Sequence, residues 1–256
     1  MSVLSAQGLR KSFGGVTAVD GVDLQLEAGE ILAMIGPNGA GKTTTFNLLN
    51  GHLRPDAGSV TLLGRPITGL PPRAIWRLGV GRTFQITATF ASMTVLENVQ
   101  IALLSVRRQL LSLRPRLSRL RLDEAFAMLE LVGMADQADR PCSSLAYGDL
   151  KRLELALALA NAPKLLLMDE PTAGMAAKER RALMQLMAEV ARERAIGVLF
   201  TEHDMDVVFG HANRVLVLDR GQVLTVGSPA QVRADPRVRA VYLGQGSMAG
   251  IEGAPR

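Results

Sequence analysis

The stretch that most restricts this chain is "ILAMIGPNGAGKTTT", residues 31–45. Five apolar residues predict a buried strand, and "GKTTTFNLLNG" has helical spacing and stops at Gly51. Between them runs G-x-x-x-x-G-K-T at 36–43. A strand that enters a helix through such a loop belongs to an α/β fold, with free backbone N–H groups at the helix start. Glycines let those groups close around a phosphate. Lys42 supplies a point charge to β/γ oxygens, and the Thr43 hydroxyl suits Mg2+. The candidate phosphate-binding residues are Gly36, Pro37, Asn38, Gly39, Ala40, Gly41, Lys42, Thr43 and Thr44.

A second apolar run, "KLLLMDEP", predicts a strand with Asp169 at its carboxyl end, where parallel sheets place ligand-binding groups. Asp169 suits Mg2+, and Glu170 suits a general base that polarises an attacking water. Gln85 closes the strand "VGRTFQ". His203 closes "VLFTEH", a strand expected beside the one carrying Glu170, from which it would reach a γ-phosphate. These groups alone leave two classes open: a small-molecule kinase, or an ATPase that uses hydrolysis to move something.

The remainder alternates strand and helix around a purely helical stretch. "SVLSAQGLRKSF", "VDLQLEAGE" and "GSVTLLG" predict strands. "TVLENVQIALLSVRRQLL", "LDEAFAMLELVG" and "YGDLKRLELALALA" predict helices, and strands return with "AIGVLFTEH", "RVLVLDRG" and "QVLTVG". The fold expected is an α/β sheet core with an inserted helical subdomain. No run of ~18 apolar residues predicts a membrane span. The single cysteine, Cys142, excludes an internal disulfide and fits a reducing compartment. A net charge of +5 suits nucleic acid or an anionic membrane surface, but dispersed arginines give the same number.

"SSLAYGDLKRLELALALA", 143–160, adds a second helix start that faces anions. With it, the chain resembles the ATP-binding subunits of ABC transporters over essentially its whole length. In order run an A-loop aromatic (Phe13), Walker A (36–43), Q-loop (Gln85), signature (Leu145, Ala146, Tyr147, Gly148, Asp149), Walker B ("LLLMDE"), D-loop ("AGMAAKE") and H-loop (His203). The resemblance implies a P-loop NTPase (RecA-like) core with an antiparallel β subdomain. The core would comprise 1–85 and 161–227, the helical subdomain 86–160, and a C-terminal extension 228–256. It implies ATP and Mg2+ as cofactors, the metal on Thr43, Gln85 and Asp169, and Glu170, His203 and Gln85 as catalytic residues. It also implies head-to-tail pairs in which the signature helix faces the partner's γ-phosphate. Two positions depart from the family pattern. Ala146 replaces a usual Ser and Ala176 a usual Asp, which implies slower or more asymmetric hydrolysis.

"GRTFQ", "MTVLENV", "LAYGD", "TEHDM" and "DPRVRAVYLG" look like the branched-chain amino-acid importers of bacteria. That resemblance implies a second ATPase, identical or similar, two permease subunits, and indirectly an extracytoplasmic binding protein. The expected location is the cytoplasmic face of the inner membrane. Urea, short amides and aromatic acids remain alternative cargoes. A nucleic-acid-associated ABC ATPase is the remote reading, since no tandem cassette or long coiled coil is present. By the same resemblance 86–99 lines a groove for the permease's coupling helix, with Phe90 and Met93 as its floor or as core. The arginine-rich stretch 105–124 is a solvated face or a contact for anionic headgroups.

Overall fold

The computed structural model describes residues 2–83, 89–106 and 121–243. Gln85 and most of the arginine-rich stretch lie outside the described residues. Two sheets organise the chain. Strands β1 (Ser2–Phe13), β2 (Val16–Glu27), β4 (Ala57–Leu62) and β5 (Arg65–Pro66) form an antiparallel sheet in the order β2-β1-β4-β5. The second sheet runs β10-β9-β3-β8-β7-β6, built from β3 (Ile31–Ile35), β6 (Val80–Arg82), β7 (Leu165–Asp169), β8 (Gly197–Thr201), β9 (Arg214–Asp219) and β10 (Gln222–Gly227). All its neighbours pair in parallel except the β9–β10 hairpin.

The unbroken apolar runs of the parallel strands reflect a sheet covered on both faces. Successive side chains point oppositely, so Ile31, Ala33 and Ile35 enter one core while Leu32 and Met34 enter the other. Leu166, Met168, Val198 and Phe200 go with the first set; Leu165, Leu167 and Leu199 go with the second. The second core is roofed by the antiparallel sheet and filled by helix α1 (Lys42–Leu49). With three threonines in eight residues, α1 has poor intrinsic propensity. Burial of Phe46, Leu48 and Leu49 holds it instead, at about 1.5–3 kcal/mol for each large side chain.

The first core is covered by helices. After the short α2 (Pro72–Arg77) come α3 (Val95–Val106), α4 (Leu122–Leu131) and α5 (Tyr147–Leu159), followed by α6 (Ala177–Glu193), α7 (Met205–His211), α8 (Pro229–Ala234) and α9 (Pro236–Leu243). Val99, Leu129 and Leu153 of the inserted helices belong to the same apolar cluster as Met184 of α6 and Val238 of α9. The insert is thus continuous with the sheet's lower core. Asn98 secures its first loop. The Asn98 amide donates to the carbonyls of Phe90 (3.1 Å) and Thr94 (2.9 Å), and its oxygen accepts from the Phe90 N–H at 2.8 Å.

Candidate nucleotide-binding site

The loop after β3 closes on itself before α1 begins. Ala40 N–H donates to Pro37 O at 3.1 Å, and Thr45 N–H to Gly41 O at 2.8 Å. Two glycines are dictated by space. A Cβ at Gly36 would lie 2.3 Å from Leu218 O, and one at Gly41, where φ is +96°, 2.3 Å from Ala18 O. No side chain fits either position, so the loop packs its backbone directly against Leu218 and Ala18. Asn38, Gly39 and Thr43 are exposed and Thr44 is half-buried, whereas Pro37 and Ala40 are buried.

Lys42 is only 8% exposed. Its ammonium donates to Gly36 O at 2.7 Å and Pro37 O at 3.1 Å, so it lies inside the loop. Burial lowers its pKa, opposed by the negative charges of Glu170 and then Asp169. Helix α9 backs this loop. Tyr242 is buried, which pushes its phenol pKa up, and the Gly36 backbone partly offsets that.

The carboxylates reach the loop because the sheet order brings their strands together. β8 lies between β3 and β7, so the turns after all three strands open at one edge. Asp169 Oδ1 accepts the Thr201 hydroxyl at 2.6 Å across the β7–β8 pair. Glu170 N–H donates to Thr201 O at 3.1 Å and Oγ1 at 3.1 Å. Glu170 has φ +48°, a left-handed conformation that a non-glycine residue adopts only when its surroundings impose it. Its Oε1 is 2.8 Å from Nε2 of His203, which leaves the end of β8 half-exposed. Lys42, Asp169, Glu170 and His203 thus converge. Thr172, Thr201 and Glu202, which support this edge, escape sequence reasoning; an acid directly before the strand-end histidine was the one visible signal.

Phe13 is 46% exposed at the β1–β2 turn, which excludes a core role. In the signature stretch Ala146 and Tyr147 are exposed, Leu145 and Asp149 half-buried, and Gly148 buried. The start of α5 is flanked by an acid of the same chain: a Cβ at Gly148 would meet the Glu179 carboxylate at 3.1 Å. Negative charge is favourable there, beside the first turn of a helix. Phe90 is 55% exposed, so it is not core, and Met93 is half-buried. Neither lines the cavity of about 350 Å³ between α2 and helices α3 and α5, whose walls include Trp76, Arg82, Ala102 and Leu157. His52 and His211 lie outside the cluster, and burial lowers the pKa of each.

A glycine cradle with a buried lysine, facing an Asp–Glu pair at the end of β7, has the donor chemistry that suits the phosphates of a nucleotide. Residues 19–173 match the model of the ABC transporter family, and residues 222–247 match that of the branched-chain amino acid ATP-binding cassette transporter. The chain belongs to the ABC transporter ATP-binding family. This cassette is 42% identical to the high-affinity branched-chain amino acid transport ATP-binding protein LivG of Escherichia coli (strain K12) over 95% of the chain and 98% of the relative. It is 39% identical to BraF of Pseudomonas aeruginosa, which carries the same description, over 95% and 98%. Among solved structures, the ADP conformation of an ATP-binding cassette of an ABC transporter superposes with a TM-score of 0.85 at 30% identity, over 96% of this chain and 100% of that one. Fold and family therefore agree with the sequence-based expectation. The cassette is a nucleotide-binding ATPase subunit with a P-loop α/β core. Among its described residues no helix is long and apolar enough to cross a membrane.

Proposed function

We propose that this cassette hydrolyses ATP to drive import of branched-chain amino acids, as a peripheral subunit on the cytoplasmic face of the inner membrane. The observation that carries the catalytic reading is the convergence of Lys42 with Asp169, Glu170 and His203 at one edge of the sheet. The cargo reading is supported by the relatives' descriptions and by the match over 222–247.

In this reading the loop 36–41 and the first turn of α1 bind the phosphates through backbone N–H groups, and Lys42 neutralises β/γ oxygens. Phe13 stacks on the base. The hydroxyl of Thr43 and the carboxylate of Asp169 are hard oxygen donors that fit Mg2+, with Gln85 as a further ligand. These protein oxygens would leave positions on the ion for phosphate and water oxygens. Mg2+ would supply charge neutralisation on the phosphates. Glu170 orients and deprotonates water, while His203 holds the Glu170 carboxylate and contacts the γ-phosphate.

Leu145, Ala146, Tyr147, Gly148 and Asp149 face the nucleotide of a second ATPase subunit, and permease subunits dock beside α3. The test is leucine uptake by membrane vesicles holding the cassette with its co-purified permease. Uptake should require ATP and vanish with Glu170→Gln. Uptake that persists in that variant, or ATP hydrolysis that no branched-chain amino acid with its binding protein stimulates, would overturn the reading.

A further inference from the structure

Glu202 is a carboxylate buried at the tip of β8, 4% exposed, directly before His203. Its oxygens accept three hydrogen bonds from two residues. Oε1 accepts from the Thr172 N–H at 2.9 Å and from the Thr172 hydroxyl at 2.5 Å; Oε2 accepts from the His203 N–H at 3.1 Å. Thr172 is 1% exposed and lies two residues after Glu170. A buried charge costs several kcal/mol of desolvation unless its oxygens are satisfied, and here donors from both strand tips satisfy them.

We infer that Glu202 is a positioning residue for ATP hydrolysis: its two oxygens tie the turn carrying Glu170 to the turn carrying His203, fixing the contact between them. The inference rests on the proposed role of Glu170. The geometry gives the bond network a task. Glu170 sits at φ +48°, and its N–H donates to both oxygens of Thr201. Thr172 is the next point at which the turn is anchored to β8, and Glu202 is the anchor. On the other strand the Glu202–His203 bond sets where the imidazole leaves the sheet. Glu202 itself is enclosed by these donors and does not present a carboxylate to solvent, so it is not a second base. Its action falls on the chemical step, since the phosphate loop hangs from β3 and the Lys42 ammonium is held by Gly36 O and Pro37 O.

Steady-state hydrolysis by the full-length cassette tests this, with Glu202→Gln, Thr172→Val, the double variant and Glu170→Gln beside wild type. In Glu202→Gln the amide group must oppose one of the N–H donors. kcat should fall about 10- to 100-fold, the scale of a small misplacement of reacting groups, with KM for ATP within about threefold. Thr172→Val keeps the N–H bond and loses only the hydroxyl, so a smaller fall of about three- to tenfold is expected. The double variant should lose less than the product of the two, because both cut one link. Circular dichroism at the assay temperature establishes which variants are folded; if Glu202→Gln is not, Thr172→Val decides alone. Wild-type kcat in the folded variants, a raised KM at unchanged kcat, or fully multiplicative losses overturns the inference. An inactive Glu170→Gln beside an active Glu202→Gln removes this inference only; an active Glu170→Gln removes the proposed base and this inference with it.

Discussion

Nε2 of His203 lies 2.8 Å from Oε1 of Glu170, joining the ends of two adjacent parallel strands that are more than thirty residues apart in sequence. The pair sets the expectation for Glu170→Gln. The amide keeps the size of the side chain and its reach to His203 but cannot take a proton from water. Hydrolysis should fall by about 10²–10⁴ while ATP still binds. The ATP-loaded variant should accumulate as a pair in size-exclusion chromatography. Turnover at the wild-type rate would remove Glu170 as base, and a persistent monomer with ATP would count against the shared-site arrangement.

Lys42→Ala removes the loop's buried cation. Nucleotide affinity should fall by about 100-fold or more, since charge-assisted bonds to more than one oxygen are lost. Fluorescent nucleotide titration measures it. The wild-type affinity should also have an alkaline limb. Burial lowers the Lys42 pKa from 10.5, and the protonated form is the one that binds. Affinity should therefore be constant below that depressed pKa and decline as pH rises through it. Unchanged affinity in the variant would place the triphosphate elsewhere.

Gly148→Asp tests whether α5 faces a partner's nucleotide, but the new side chain also meets Glu179 of its own chain. A carboxylate introduced at this buried position repels the Glu179 carboxylate by about 4 kcal/mol at ~4 Å and an effective dielectric of ~20. The variant should bind ATP as a monomer and fail to pair or hydrolyse. Adding Glu179→Gln should relieve the internal repulsion without restoring pairing. Mixing Gly148→Asp with Lys42→Ala subunits should return part of the activity, because one composite site is then intact. Full recovery on adding Glu179→Gln would assign the defect to the internal contact, and no recovery in demonstrably mixed pairs would contradict shared sites.

Ala176 is the N-cap of α6, with extended backbone at φ −67° and ψ 151°, yet it has no side-chain acceptor. Only the return half of a capping box forms, from the Ala176 N–H to Glu179 Oε2 at 3.3 Å. Ala176→Asn should supply the missing acceptor and stabilise the chain by about 1 kcal/mol. Thermal melting reads this directly; an unchanged or lower midpoint would show that the cap geometry is not reachable.

Asn98→Ala should destabilise the chain by about 2 kcal/mol, because the Phe90 N–H loses its acceptor and two carbonyls lose a donor. Urea unfolding at constant m-value checks it. An unperturbed midpoint would mean that water replaces the amide at no cost.

What the sequence determined by itself is local. The apolar run before Gly36, the loop ending in Lys42 and the Asp169–Glu170 pair behind "LLLM" each carry their chemistry within about ten residues, because backbone conformation, periodicity and loop spacing are short-range properties. The helical stretch after β6 was legible for the same reason. Tertiary structure decided what depends on strand order and burial. The strand of His203 was expected beside that of Glu170, and β7 and β8 do pair; the direct contact of the two side chains at 2.8 Å is what only the folded chain reveals. Glu202 reads in sequence as one acid among 24 Asp and Glu residues, and becomes a buried link because Thr172 and His203 present N–H and O–H donors to it from two turns. Glu179 likewise looks like a solvated helix charge until α6 packs beside the start of α5. Phe90 reads as core or groove floor; it is exposed and so not core, because Asn98 holds its backbone and leaves the ring outside. A charge or an aromatic ring takes its role from what the fold sets within a few ångströms of it, and that distance is not written along the chain.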